Sequence, residues 1–98
     1  MLTTDAINAQ KDARDFKEEM AGCIYRHFKG ELYIVTDVTV NSETLELEVI
    51  YKDFATLQLS WCRPLSVFLS GVDTIKYPHT LQEERFEKIG RCGGQNNE

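Results

Sequence analysis

The chain has 98 residues, of which 42% are hydrophobic and 28% are charged, and its formal net charge is -5. This length and composition fit one small globular domain rather than a disordered or fibrous chain, and the negative charge argues against binding to long duplex nucleic acid. The sequence has no apolar run near the ~20 residues of a membrane helix and no signal-peptide pattern at its start, so we expect a cytoplasmic protein with no membrane partner.

An apolar seam predicts a helix over about 4–20. The seam residues recur at spacings of three and four: Leu2, Ala6, Ala9, Ala13, Phe16 and Met20. Thr3, Thr4 or Asp5 can cap the start of the helix, and Gly22 can end it. The narrow, Ala-rich seam can dock on the chain's own sheet or pair with a second copy. Because a core this small gains stability from association, we expect a homo-oligomer that uses this helix.

Four strands are predicted after the helix, where β-branched and aromatic residues concentrate and the apolar period falls to two. Their ranges are about 23–29, 32–40, 45–53 and 57–63. Short turns between them favour an antiparallel meander. The alternation also assigns four residues of the second strand to one core face: Leu32, Ile34, Val38 and Val40.

The rest of the chain is less regular. Pro64 suits the first turn of a short helix through residues 65–69, and 72–76 and 85–89 are two further weak strand candidates. Residues 90–98 are predicted to be a disordered tail. We therefore expect an N-terminal helix (1–22), a β domain (23–89) and a tail. The fold class is α+β, with the helix followed by a small, strongly bent antiparallel sheet or an SH3-like β-barrel.

The sequence shows no arrangement typical of a metal centre or of an enzyme. Cys23 and His27 have a spacing that resembles part of a zinc site, but four residues of a strand span about 13 Å, so both side chains cannot reach one ion. The cysteines are odd in number and form no close pair, which fits the cytosol. No short catalytic motif joins a nucleophile to a histidine, so we expect a non-enzymatic protein with no cofactor.

The candidate binding residues come from two stretches of the chain. Residues 21–30 carry Arg26 and Lys29 with no acid, and Trp61 and Arg63 end the fourth strand. If the sheet curls, guanidinium groups for an anion and aromatic faces for a ring would lie together. The alternative is that Trp61 packs in the core and that each arginine packs its stem and solvates its head.

The same stretches carry a resemblance to a known family. Residues 25–30 read YRHFKG, 42–44 read SET, and 61–68 read WCRPLSVF. This order and spacing resembles a family of short bacterial and phage domains of unknown function, over about 25–69 and at Arg85-Phe86. The resemblance implies a small, strongly bent β domain and no established activity. Two positions depart from the family pattern: Asn41 in place of histidine, and Ala55-Thr56 in place of tyrosine-glycine.

These observations give one functional expectation and one alternative. We expect a binding module for a phosphate-bearing, nucleotide-like molecule, with six site residues: Arg26, Arg63, Trp61, Tyr25, His27 and Lys29. The arginines would hold a phosphate, Trp61 or Tyr25 would stack on a ring, and His27 and Lys29 would donate hydrogen bonds. By analogy with small phage proteins, it would be a sponge that sequesters a nucleotide immune signal in the bacterial host cell. The alternative is a protein or nucleic-acid interaction module, whose curled sheet presents an exposed aromatic groove formed by Tyr25, Tyr33 and Trp61.

Overall fold

The computed structural model describes residues 3–91, beginning with helix α1 (Thr4–Met20). The Thr3 side chain accepts a hydrogen bond from the Ala6 N–H at 3.1 Å and caps the first turn. The helix ends at Ala21, and Gly22 turns the chain into the sheet with a φ of 83°, a conformation that favours glycine. The predicted helix is therefore confirmed. No helix within residues 3–91 is long and apolar enough to cross a membrane.

The rest of the domain is an antiparallel sheet of five strands in the order β4-β3-β2-β1-β5. The strands are β1 (Cys23–His27), β2 (Leu32–Val40), β3 (Leu47–Asp53), β4 (Ser60–Pro64) and β5 (Phe86–Arg91). A short helix, α2 (Leu65–Phe68), follows β4. The predicted α+β class with a helix followed by an antiparallel sheet is confirmed. The sheet is open, since β4 and β5 remain unpaired edges among the described residues, so the barrel alternative is not realised.

Three strands are shorter than predicted because the residues at one end of each predicted range belong to a turn. Gly30 N–H donates to the His27 carbonyl at 2.7 Å, which stops β1 at His27. Leu45 and Leu57 have φ values of 64° and 56°, and their N–H groups donate to Asn41 and Asp53 carbonyls. These left-handed residues belong to turns, so β3 and β4 begin later than the hydrophobic pattern indicates.

A β-bulge changes which residues of β2 face the core. The register between β2 and β3 shifts between Val35 and Asp37, and the shift reverses the alternation of side chains along the strand. Val35 and Val38 are therefore both buried, whereas Leu32 is exposed and Ile34 is half-buried. The prediction that Leu32 and Ile34 share a core face with Val38 is wrong for this reason.

The sheet curls strongly around an aromatic core. Strands β3 and β5 are three positions apart, which in a flat sheet separates them by about 14 Å. The rings of Tyr51 on β3 and Phe86 on β5 nevertheless lie with their centroids 5.6 Å apart. Phe68 of α2 stacks on Phe86 at 4.2 Å and is fully buried. The concave face is therefore filled by aromatic side chains that converge from distant strands.

Helix α1 docks on the same domain. Ala9, Ala13 and Met20 of the seam are buried, and Ala13 and Met20 join the core cluster with Val35 and Val38. The Lys17 ammonium and the Asp37 carboxylate of β2 form a surface ion pair at 3.2 Å. The seam therefore packs on the chain's own sheet, which is the first of the two predicted alternatives. Leu2, the first residue of the predicted seam, lies outside the described residues. A homo-oligomer remains a prediction.

The C-terminal part differs from the sequence prediction in two places. Residues 72–76 form no strand, because Asp73 Oδ1 accepts hydrogen bonds from the Ile75 and Lys76 N–H groups and folds the segment into a turn. Gly90 and Arg91 belong to β5 rather than to a tail. Arg91 Nη1 donates to the Ala21 carbonyl at 3.1 Å, so the end of β5 is held by the C-terminus of α1. Residues 92–98 of the predicted tail lie outside the described residues.

Candidate functional site

The six predicted site residues do not form one site. Tyr25 lies in the core, Arg26 lies on the outer face of the sheet, and Lys29 lines a cleft between two loops. The other three face the concave side: His27, Trp61 and Arg63. The curl of the sheet brings together only three of the six residues, because side chains alternate between the two faces of a strand.

Tyr25 cannot stack on a ligand. Its side chain is 4% exposed and its ring meets that of Phe68 edge to face at 5.1 Å. Burial, together with nearby Cys23 and Glu19, raises the pKa of the Tyr25 hydroxyl. The predicted stacking role of Tyr25 is therefore wrong, and the residue is part of the core.

Arg26 points away from Arg63. It follows Tyr25 and precedes His27 on β1, so its side chain is on the opposite face from theirs. There its guanidinium forms an ion pair with Glu87 at 2.6 Å and a hydrogen bond with Gln82 at 3.3 Å. Arg26 and Arg63 cannot hold the same phosphate, which corrects the central pairing of the predicted site.

Arg63 is fixed at the concave mouth of the sheet. Its Nε donates a hydrogen bond to the Tyr51 hydroxyl at 2.7 Å, and its guanidinium carbon lies 5.7 Å from the centroid of the Phe86 ring. The residue is half-buried. The side chain is thus held by neutral partners, and no carboxylate of residues 3–91 lies within ion-pair distance of it.

Two further groups lie near His27: the Tyr33 ring, whose centroid is 6.5 Å from that of His27, and Arg85, whose positive charge adds to the effect of burial on the pKa of His27. Arg85, just before β5, donates from Nε to the Ser70 hydroxyl at 3.2 Å and is half-buried. The Tyr33 ring meets Tyr51 edge to face at 5.3 Å, and burial, then Glu31, raises the pKa of its hydroxyl. Arg85 and Tyr33 were not among the predicted site residues. The available signal was weak: Arg85-Phe86 in the family resemblance, and Tyr33 only as part of an exposed groove.

His27 is a neutral donor in this group. Its Nδ1 accepts a hydrogen bond from the Lys29 N–H at 3.2 Å, so the neutral ring carries its proton on Nε2. Burial lowers the pKa of His27, and the nearby cations Arg63, Arg85 and Lys29 lower it further. The Glu31 carboxylate, 3.8 Å from Nδ1, acts in the opposite direction. We call His27, Tyr33, Tyr51, Arg63 and Arg85 the polar rim.

The lowered pKa of His27 predicts a pH dependence of stability. At a pH between the lowered pKa of His27 in the native chain and its pKa of about 6.5 in the unfolded chain, the unfolded chain binds a proton that the native chain does not bind. The stabilisation from this site is therefore complete above about pH 6.5 and is lost as the pH falls through that window. The difference in Tm between the wild type and His27→Gln should be larger at pH 7.5 than at pH 5. His79→Gln, which removes an exposed imidazole, is the matched control, and a difference that grows toward pH 5 would contradict the assignment.

A small cleft adjoins the polar rim at Trp61. It has a volume of about 180 Å³ and is lined by Tyr33, Asp53, Thr56, Gln58, Leu59 and Trp61. Trp61 is paired in register with Tyr51, so the two side chains share the concave face, and Trp61 is 53% exposed. The core alternative for Trp61 is therefore wrong. Its ring is available to a ligand, while the Asp53 carboxylate gives this end of the cleft a negative charge.

The chemistry of the polar rim is donation to an anion. Two guanidinium groups, a neutral imidazole and the Tyr33 hydroxyl supply N–H and O–H donors here, whereas Tyr51 is buried and orients Arg63. The Glu31 carboxylate lies beside the rim, 3.8 Å from His27 Nδ1. Within residues 3–91, no group of three or more His, Cys, Asp or Glu side chains is placed to hold a metal ion. The rim therefore suits an oxyanion.

Comparison with known proteins places the chain in a family. Residues 23–88 match the family model DUF1653, which is described as a protein of unknown function. The chain belongs to the DUF1653 family. A crystal structure of a DUF1653 protein from Bordetella bronchiseptica is 26% identical, with a TM-score of 0.60 over 81% of this chain and 99% of that one. No curated protein matches significantly. All five polar-rim residues lie within the DUF1653 match, and the whole of α1 precedes it.

Proposed function

We propose that this DUF1653 protein is a non-enzymatic binding module for a phosphate-bearing, nucleotide-like small molecule. The observation that carries the proposal is the state of Arg63. Its guanidinium is half-buried and fixed by the Tyr51 hydroxyl and the Phe86 ring, and it forms no ion pair in residues 3–91. Partial burial of a charge that has no contact ion pair costs free energy, which a bound anion would recover.

The electrostatics of the chain favour a local site over a diffuse one. A protein of net charge -5 repels a phosphate at long range, so binding depends on fixed cations in contact with the anion. Arg63 and Arg85 supply them, and the neutral His27 adds a donor without adding repulsion. Charge-assisted hydrogen bonds at such a partly dehydrated mouth are stronger than those in water.

The ring of the ligand has a place beside the rim. Trp61 exposes its aromatic face, and Tyr33 belongs to both the polar rim and the Trp61 cleft. We assign the phosphate to the Arg63 side and the ring to the Trp61 side, because Asp53 repels an anion in the cleft. At about 180 Å³ the cleft is below the roughly 300 Å³ of typical ligand pockets. It therefore takes one ring, while the phosphate lies at the polar rim and the rest of the ligand is in solvent.

In its most specific form, the proposal is a phage sponge that sequesters a nucleotide immune signal. Sequestration requires affinity and a rigid arrangement of donors, and the aromatic packing around Arg63 and His27 supplies such rigidity. The experiment is to incubate the protein with mononucleotides and cyclic dinucleotides, to measure binding, and then to analyse the recovered molecules by mass spectrometry. We expect at least one phosphate-bearing molecule to bind and to be recovered intact. Turnover, or binding of none, would overturn the proposal.

A second candidate function is a protein interaction module, favoured by the edge strand β4. Leu57, Leu59 and Trp61 are 51%, 67% and 53% exposed at or before this unpaired edge, which is a site where another strand can add. Leu59→Asp would then abolish a pull-down partner of the wild type, and boiling the complex would release no small molecule. Retention of the partner by Leu59→Asp would contradict this second function.

A further inference from the structure

A second cleft lies between the β1–β2 turn and the loop before β5. It has a volume of about 370 Å³ and is lined by Phe28, Lys29, Lys76, Tyr77, Pro78, His79 and Thr80. None of these residues lines the Trp61 cleft or belongs to the polar rim. This cleft is therefore separate from the polar rim and the Trp61 cleft. It shares Phe28, His79 and Thr80 with a neighbouring cavity of about 470 Å³, whose lining includes Arg26 and Glu87.

Two aromatic rings form the apolar wall of this second cleft. The rings of Phe28 and Tyr77 meet edge to face with centroids 4.9 Å apart. Phe28 is anchored by a hydrogen bond from its N–H to the Arg85 carbonyl at 2.9 Å, and Tyr77 N–H donates to the Asp73 carbonyl at 2.8 Å. Both rings are thus presented by backbone that is tied to the domain.

Two ammonium groups lie at the same place. Lys29 Nζ is 5.4 Å and Lys76 Nζ is 5.5 Å from the centroid of the Tyr77 ring. Neither lysine forms an ion pair in residues 3–91, and the residues that line the cleft include no carboxylate. Desolvation alone would raise the pKa of the Tyr77 hydroxyl, but the charges of Lys29 and Lys76 and their hydrogen bonds to it together lower that pKa. Positive charge is therefore concentrated over an aromatic wall, on a chain with an overall negative charge.

We propose that this cleft binds an aryl phosphomonoester, with the aromatic ring against Phe28 and Tyr77 and the phosphate between Lys29 and Lys76. A phosphate monoester carries close to two negative charges at neutral pH, which matches two ammonium groups. The flat ring of the ester matches an aromatic wall, for which edge and stacked contacts are favourable. Inorganic phosphate would use only the lysines, and phenol only the rings, so the combination distinguishes this site from general attraction of anions. The site goes beyond the proposed function and does not depend on Arg63.

The test is a titration of the ¹⁵N-labelled full chain with phenyl phosphate, followed by amide chemical shifts. We expect saturable shifts centred on Lys29, Lys76 and Tyr77, and at least about 10-fold weaker binding of inorganic phosphate and of phenol. Lys76→Gln and Lys29→Gln should each weaken phenyl phosphate binding about 3- to 10-fold, and the double variant should abolish it. Both lysines are exposed, so the variants keep the fold, and the same spectra check this.

Two control variants separate this site from a general effect of charge and from the polar rim. Lys11→Gln removes the same charge from the exposed face of α1 and should leave phenyl phosphate binding unchanged. Arg63→Ala, which would abolish the proposed nucleotide site, should also leave it unchanged, so the failure of one proposal is distinguishable from failure of the other. Shifts centred away from the second cleft, or equal affinity in the wild type and the double lysine variant, would overturn the inference.

Discussion

Phe68→Ala is expected to remove a large part of the stability of the domain. Phe68 has no exposed surface and packs against three rings of the concave face: Tyr25, Tyr51 and Phe86. Removal of a buried phenyl group leaves a cavity and costs about 3–5 kcal/mol. A domain of this size has only about 5–10 kcal/mol of stability in total.

Thermal unfolding followed by circular dichroism measures this effect. The Tm of Phe68→Ala should fall by more than about 12 °C. Leu81→Ala is the matched control, because Leu81 is fully exposed and its truncation should change stability by less than about 0.5 kcal/mol. A Tm of Phe68→Ala close to that of the wild type would contradict the assignment of the core to this aromatic cluster.

Ala13→Glu is expected to destabilise the folded chain rather than to dissociate an oligomer. Ala13 is 6% exposed and lies in the core cluster, where α1 meets the sheet. A carboxylate at this position would be buried without a partner, at a cost of more than about 3 kcal/mol. The change of Ala13 therefore separates docking of the seam from pairing of two helices.

Denaturant unfolding and light scattering together decide between these two roles of the seam. Asn8→Glu places the same charge on the exposed face of α1 and should leave stability nearly unchanged. If Ala13→Glu stayed as stable as the wild type and only lowered the molecular mass in solution, the seam would be an interface between chains. That result would contradict the docking of α1 on its own sheet.

Local sequence patterns predicted the elements of the fold well. The spacing of Ala9, Ala13 and Met20 located α1 to the residue, since a helical seam and its cap are encoded within one segment. Local sequence patterns also predict where the strands lie. The starts of β3 and β4, however, are set by turns at Leu45 and Leu57, whose backbone is left-handed. This conformation is unusual for leucine, and a hydrophobic pattern does not reveal it.

The candidate site could be predicted only in part, because it depends on geometry between distant segments. Arg63 and His27 were identified from their chemistry, and both face the concave mouth. Arg26 and Tyr25 were misassigned because composition treats neighbouring residues of a strand as one cluster, although their side chains point to opposite faces. Arg85 lies near His27 because β5 pairs with β1, and no short stretch of sequence specifies a pairing between such distant segments.

The central claim is that Arg63 anchors a phosphate-bearing ligand, and isothermal titration of Arg63→Ala tests it most directly. The panel is mononucleotides and cyclic dinucleotides, with Arg14→Ala as the control, since Arg14 is exposed on α1. Arg63→Lys keeps the charge and the stem and is the second variant if loss of the Tyr51 hydrogen bond unfolds Arg63→Ala. We expect the panel member that binds the wild type to bind Arg14→Ala equally and Arg63→Ala roughly 30- to 1000-fold more weakly, with an intermediate loss for Arg63→Lys. Wild-type affinity in a folded Arg63 variant would contradict the claim.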